Sequence, residues 1–215
     1  VITAGPTYEP LDPVRFLGNY STGKMGVAIA DTLACEGALV DLILGPSHVR
    51  PAEQEVVVHP VHTAAEMHEK ALALFPAADG AIMSAAVSDY RPATQVSQKI
   101  KRKAGSELTL TLQPNPDIAA ALGNRKQAHQ VLVGFALETQ DEELHARSKL
   151  KSKNLDFIVL NSLQDKGAGF GGDTNRIKIL NASGKVESFD LKAKTEVAAD
   201  IVNKLCSLMK DAAHL

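Results

Sequence analysis

GKMGVAIADTLACEGALVDLILG, residues 23–45, is the stretch whose reading decides the fold. Its first part, Gly23–Glu36, has the apolar spacing of an amphipathic helix. Its second part, Leu39–Leu44, is a short apolar run closed by Gly45-Pro46, as expected of a buried strand. With the apolar segment Val1–Ala4 upstream, the stretch reads as strand, helix, strand. That is the repeating unit of a parallel sheet.

The alternation continues outward along the chain. Further strands are expected at Glu55–Val61, Gly80–Ser84, Val131–Phe135 and Phe157–Leu160, and helices at Ala64–Phe75, Asp117–Leu122, Asp141–Lys153 and Glu196–Met209. Thr63-Ala64-Ala65-Glu66 has capping-box spacing, with Thr63 on the third amide of the helix and Glu66 reaching back. In the last helix Val197, Ile201, Leu205, Leu208 and Met209 form one packing stripe. Two segments break the rhythm. Gln98–Leu112 alternates polar and apolar residues on both sides of Ala104-Gly105-Ser106 and predicts an inserted β-hairpin flap at about residues 94–113. Arg176–Leu180 and Lys185–Leu191, joined by Asn181-Ala182-Ser183-Gly184, predict a second hairpin, which with the last helix covers about residues 175–210. Gly167–Gly172 reads as a flexible loop and a candidate lid.

The 215 residues suit a single α/β domain, and 45% apolar with 22% charged residues is ordinary globular usage. A net charge of −2 gives no global attraction for nucleic acid or an anionic membrane, so an anion site has to be local. No apolar run reaches the roughly 20 residues that span a bilayer. Cys35 and Cys206 read as core thiols of a reducing cytoplasm rather than a disulfide. The start at Val1, inside a strand and without Met, is expected of a domain cut from a longer protein.

Chemistry concentrates at Gly18–Gly26. Gly18-Asn19-Tyr20-Ser21-Thr22-Gly23-Lys24 has P-loop spacing, but Met25 stands where a P-loop has the Ser or Thr that holds magnesium. About a dozen residues also separate the segment from the first strand. The dinucleotide reading fails too: no G-x-G-x-x-G follows the first strand, and no acid ends the second. Ser21, Thr22 and Gly23 nevertheless bring hydroxyls and free N–H groups to a helix start, which suits a phosphate; a simple N-cap and turn is the alternative. Lys149 and Lys153 share a helix face and Lys151 points elsewhere; the pair suits either a polyanion or a solvated basic face. Lys99-Ile100-Lys101-Arg102-Lys103 reads as a charged exposed strand or a nucleic-acid patch. Asp89 follows the fourth strand, at the carboxyl end where open α/β sheets bind ligands, and is a candidate for a metal or a sugar hydroxyl; a turn-capping role is the alternative. The histidines and cysteines show no zinc spacing, and no nucleophile–base–acid set stands out. Together these point to chemistry on phosphates by positioning and charge.

Several segments, in order, resemble the phosphopantothenate–cysteine ligase (phosphopantothenoylcysteine synthetase) family. They are Ile2–Thr7 with Glu9, Asp12–Phe16, Asn19, Ser21–Gly26, Ala85–Tyr90, Lys99–Lys101, Asn115–Ile118, Gly134–Ala136 with Glu138-Thr139, and Lys153–Asp156. The resemblance implies a Rossmann-like, mostly parallel sheet with helices on both faces. It also implies a two-step reaction in coenzyme A biosynthesis. The carboxylate of 4′-phosphopantothenate takes the nucleotide of CTP with release of pyrophosphate, and cysteine then displaces CMP. Asn19 matches the residue that binds the acyl-nucleotide, and Lys99 the essential lysine of the flap. Ala85 and Ala86 match substrate positions; Asp89, Pro116, Asp117, Ile118, Ala119, Phe135, Lys149 and Lys153 match nucleotide positions, with Ser21, Thr22 and Gly23 for phosphate. Asp89 is the candidate ligand of a Mg²⁺–triphosphate. A homodimer, with the flap reaching the neighbouring subunit, and fusion to a flavin-dependent decarboxylase are also implied. Leu17-Gly18 departs from the commoner Ile-Ser of bacterial members, and Gly18 is expected to loosen the loop. A nicotinamide-dependent reductase and a nucleic-acid-binding module are the competing readings.

Overall fold

The computed structural model describes residues 1–102, 105, 107–138, 142–162 and 171–212. In chain order the first elements are β1 (Ile2–Ala4), β2 (Tyr8–Pro10), β3 (Phe16–Gly18), α1 (Lys24–Cys35), β4 (Val40–Leu44), β5 (Val56–Pro60) and α2 (Ala64–Leu74). The middle of the chain adds β6 (Gly80–Met83), β7 (Tyr90–Pro92), β8 (Leu112–Pro114), α3 (Ile118–Gly123), β9 (Val131–Glu138) and α4 (Glu142–Ser152). The last part holds β10 (Phe157–Ser162), β11 (Thr174–Asn175), β12 (Ile177–Asn181), β13 (Val186–Ser188), β14 (Lys192–Ala193) and α5 (Lys194–Ala212).

Eight of these strands form one sheet in the order β13-β12-β10-β9-β6-β1-β4-β5. The run from β5 to β10 is parallel, while β12 and β13 are added antiparallel at one edge. The parallel part has the doubly wound order, which reverses direction between β1 and β6 and opens a crevice beyond their carboxyl ends. Side chains alternate across the sheet. Ile2, Ala4, Val40, Leu42, Val133 and Val159 pack with Val27 and Ile29 of α1 and Val197 and Ile201 of α5. Ile43, Ala81, Leu132 and Ile158 face the other way, against Met67 of α2, Leu122 of α3 and Leu150 of α4. The buried apolar residues of the strands therefore divide between two cores, which makes a one-residue register slip costly.

Most expected elements form within a residue or two, and the structure corrects the rest. Described residues between Gln98 and Thr111 carry no strand, and residues 103, 104 and 106 of the expected turn lie outside the description. The antiparallel pair sits instead at the flap's base, Tyr90–Pro92 against Leu112–Pro114. With no partner strand beside them, the described residues Lys99–Arg102 form no ladder. Gly18 is in a strand, paired with Tyr8, and a Cβ there would lie 2.8 Å from the Tyr8 ring. It makes room for an aromatic ring and does not loosen a loop. Thr63 Oγ1 does accept the Glu66 N–H at 3.2 Å, but the Glu66 carboxylate accepts from His62 N, one residue earlier than a standard box. Both cysteines are free, although Cys35 is exposed at the end of α1 and is not a core thiol. No helix among the described residues is long and apolar enough to cross a membrane.

Candidate functional site

The β2–β3 hairpin lies between β1 and α1, so the first helix does not begin at the end of the first strand. The chain returns from the hairpin through Asn19–Thr22 and enters α1 at Gly23, whose φ of 80° is the left-handed conformation open to glycine. No side chain caps α1, which leaves the first-turn N–H groups to a ligand or solvent. The alternative of a Ser or Thr N-cap is thereby set aside. Ser21 Oγ accepts only a long 3.4 Å bond from Gly23 N. Gly26 then lets the helix end sit directly on the sheet, since a Cβ there would lie 2.4 Å from Ala4 Cβ and 2.5 Å from Ser84 Oγ. Met25 packs against the core, and its sulfur lies 4.0 Å from Asn175 Nδ2.

Beyond the carboxyl ends of β1, β6 and β9 lies a cavity of about 720 Å³. It brings together Asn19, Ala85, Ala86, Asp89, Pro116, Asp117, Ile118, Ala119, Phe135, Lys149 and Lys153. Lys151 lines a separate cavity on the far side of α4. Asn19 Nδ2 donates to the Ala86 carbonyl oxygen at 2.8 Å, which ties the segment before α1 to the loop after β6. Asn115 strengthens that loop from the other side: its Nδ2 donates to Ser88 O at 2.8 Å, and its backbone N–H donates to Asp89 O at 2.8 Å. Asp117 caps α3 by accepting from Ala120 N at 3.0 Å, and its other oxygen takes Lys153 Nζ at 2.9 Å. Burial opposes its charge, but the cap and Lys153 hold the carboxyl below its ordinary value.

Ser21, Thr22 and Gly23 line a smaller adjoining compartment of about 60 Å³, together with Lys24, Gly26, Asn161, Asn175 and Lys194. Ser84, Phe135, Leu137 and Asn161 line both spaces. Asn161, Asn175 and Lys194 were not legible in the sequence. Asn161 lies one residue past the expected end of its strand, where the carboxyl-end rule could have flagged it. Lys194 is 8% exposed and donates to Gly172 O at 2.6 Å, while Lys24 pairs with Asp173 at 2.7 Å and with Gly171 O at 3.0 Å. Burial first, then Lys24, lowers the Lys194 pKa; Lys24 holds the Asp173 carboxyl low. Two lysines thus hold the described end of the Gly167–Gly172 stretch, while residues 167–170 lie outside the description, as does Thr139.

Lys99 is exposed and does not line the cavity. Its neighbour Ile100 is bound through its main chain to Asp12 and Arg15 at the tip of the β2–β3 hairpin. No group of three or more His, Cys, Asp or Glu capable of holding a metal occurs among the described residues.

The chain is 44% identical to the coenzyme A biosynthesis bifunctional protein CoaBC of Bacillus subtilis (strain 168), over 98% of its own length and 51% of that protein. It is 55% identical to a cysteine/cysteine sulfinic acid decarboxylase of an unknown prokaryotic organism, over 97% of its length and 58% of that protein. The chain therefore spans little more than half the length of these curated relatives. Among solved structures, the C-terminal domain of a coenzyme A biosynthesis bifunctional protein CoaBC superposes with a TM-score of 0.82 at 36% identity, covering 98% of this chain and 94% of that one. The overall fold is thus shared with that domain. Residues 1–209 match the DNA/pantothenate metabolism flavoprotein C-terminal domain, and the chain belongs to that family.

Proposed function

We propose that this domain is a phosphopantothenate–cysteine ligase that acts through an acyl-cytidylate in coenzyme A biosynthesis. The observation that carries the reading is the single cavity that gathers Asn19, the Ala85–Asp89 loop, Pro116–Ala119, Phe135, Lys149 and Lys153 from five separate parts of the chain. The matching CoaBC proteins are named for the same pathway.

In the first step a carboxylate oxygen of 4′-phosphopantothenate attacks the α-phosphorus of CTP, forming an O–P bond while pyrophosphate leaves. In the second the cysteine amine attacks the acyl carbon, CMP leaves, and the amine loses a proton. Pro116–Ala119 and Phe135 hold the base and sugar, while Lys149, Lys153 and the start of α1 with Ser21–Gly23 offset the phosphate charge. Asn19 spends one amide N–H on Ala86 O and has a second to donate to the acyl-nucleotide without adding negative charge. Lys99 supplies a mobile cation to the reacting groups, from the flap of the neighbouring subunit.

A magnesium ion fits this site, since Mg²⁺ commonly takes one or two carboxylates plus substrate phosphates. Of the two carboxylates that line the cavity, Asp117 is committed to Lys153 and α3, so Asp89 would hold the ion. When bound, the ion neutralises triphosphate charge.

A homodimer belongs to the same proposal. Val14, Phe16, Tyr90, Leu108, Leu110 and Leu112 are exposed apolar side chains on the β2–β3 hairpin and on the flap with its base, and Tyr20, just past the hairpin, is 92% exposed. So does a cytoplasmic, full-length protein in which a flavin-dependent decarboxylase is joined to this domain. The bifunctional and decarboxylase names of relatives of which this chain spans little more than half support that arrangement. The nicotinamide reading loses ground because a hairpin intervenes where a dinucleotide fold turns directly from strand to helix.

The test is pyrophosphate release with phosphopantothenate and either CTP or ATP, with and without cysteine. Release with CTP before cysteine is added, and amide only after, is the expected result. No release with either nucleotide would remove the ligase assignment.

A further inference from the structure

Two residues with proposed roles sit on neighbouring excursions from the sheet, Asn19 just after the β2–β3 hairpin and Lys99 in the flap. A buried carboxylate joins the two excursions. Asp12, at the hairpin tip, is 3% exposed, and both of its oxygens are occupied. Oδ1 accepts the backbone N–H groups of Val14 at 2.8 Å and Arg15 at 2.9 Å, which closes the tip into a tight turn. Oδ2 accepts from the Arg15 guanidinium and, at 3.0 Å, from the backbone N–H of Ile100. Arg15 Nη2 donates in turn to the Ile100 carbonyl oxygen at 2.7 Å. One ion pair therefore binds both main-chain groups of Ile100, as a neighbouring strand would. Val96 N donates to Leu11 O at 3.2 Å and adds a second tie between the same two segments.

The rest of the flap gives this clasp its weight. Every other described residue from Thr94 to Thr111 is exposed, and none is in a strand. Hydrogen bonds that involve an ionised partner are stronger than neutral ones, and here three N–H donors, two of them from one guanidinium, share one carboxylate oxygen. Burial opposes the Asp12 charge, yet Arg15 and the N–H groups of Ile100, Val14 and Arg15 hold the carboxyl well below the usual carboxylate range.

We propose that Asp12 is the positioning residue of the flap: by clasping Ile100 it sets the main chain beside Lys99, and so the reach of that lysine, without touching substrate itself. The catalytic consequence rests on the ligase reading; the clasp is a property of the chain alone.

Two variants separate the clasp from the turn. In Asp12→Asn the amide oxygen still accepts from Val14 and Arg15, while its NH₂ faces the Ile100 N–H and the guanidinium, both donors. Ile100→Pro keeps Asp12 and its turn and removes the clasped N–H, but it also replaces the Ile side chain and restrains Lys99, so Asp12→Asn is the arm that decides kcat. Both variants should unfold within a few degrees of the parent. Tryptic cleavage after Lys101 and Arg102 in both variants, and after Lys99 in Asp12→Asn, should rise by at least about tenfold, because it follows the population of the open form. Ligation kcat should fall by about 100-fold, the scale of a small misplacement of a reacting group, with KM for CTP changed by less than about twofold. Unchanged cleavage would overturn the clasp. An opened flap with unchanged kcat, or a loss confined to KM for CTP, would overturn the positioning role. If the parent protein released no pyrophosphate, the ligase reading would fall, and the cleavage arm would still decide the clasp.

Discussion

At the scale of single residues, the proposed chemistry turns on neutral and charged groups that are not interchangeable. Asn19→Asp would place a carboxylate against the Ala86 carbonyl oxygen, which now accepts from the amide at 2.8 Å. Acyl-cytidylate should still form, but its conversion to amide should slow by about 100- to 1000-fold, the usual cost of a lost oxyanion donor. Rapid quench with mass detection of the intermediate would check this; a parental rate of amide formation would remove the role. Lys99→Gln should abolish turnover and leave the melting temperature unchanged, since Lys99 is exposed. An unchanged kcat would take Lys99 out of the mechanism. Asp117→Ala removes an N-cap and should cost about 1 kcal/mol in denaturant unfolding. The half-exposed ion pair with Lys153 adds little to that figure. The folded Asp117 carboxyl titrates below its unfolded value, so its contribution is complete above about pH 4 and is lost as pH falls through the folded value. The stability gap between parent and variant should therefore close in acid and stay constant from pH 5 to 8.

Among the elements, α1 shows how local sequence and long-range contact divide the work. Its helical period was legible, but its close approach to the sheet depends on Ala4 of β1 and on Ser84, just past the end of β6. Gly26→Ala should destabilise the fold by about 1–3 kcal/mol through overpacking, read as a lower melting temperature. Unaltered stability would show that α1 can shift away from β1 without cost. The flap is the opposite case. The polar–apolar alternation of residues 98–112 is a local signal for strands, yet the described residues from 98 to 111 form no ladder, because a strand needs a partner and pattern alone cannot supply one. Gly18 was misread for a related reason: its role is set by the ring of Tyr8, which only pairing brings next to it.

For the whole molecule, the exposed apolar side chains on the hairpin and flap lead to a prediction about assembly. Light scattering coupled to size exclusion should give a dimer, and Val14→Asp, at a side chain 60% exposed, should shift it to monomer while the fold persists. A monomeric parent would place the flap lysine in its own subunit's reach or outside the reaction. The sequence by itself determined the alternation of strands and helices and flagged Asp89 at a strand end and Lys149 with Lys153 on one helix face. The family resemblance supplied the helices on both faces and most of the cavity lining. Hydrophobic periodicity is local, and the carboxyl ends of strands follow directly from where the strands are. Only the tertiary structure decided that Asn161, Asn175 and Lys194 join Ser21–Gly23 in one compartment, and that Asp12 clasps Ile100 across 88 residues of chain. Such polar contacts leave no period in the sequence, because they are made by strand order and by loops that meet above the sheet.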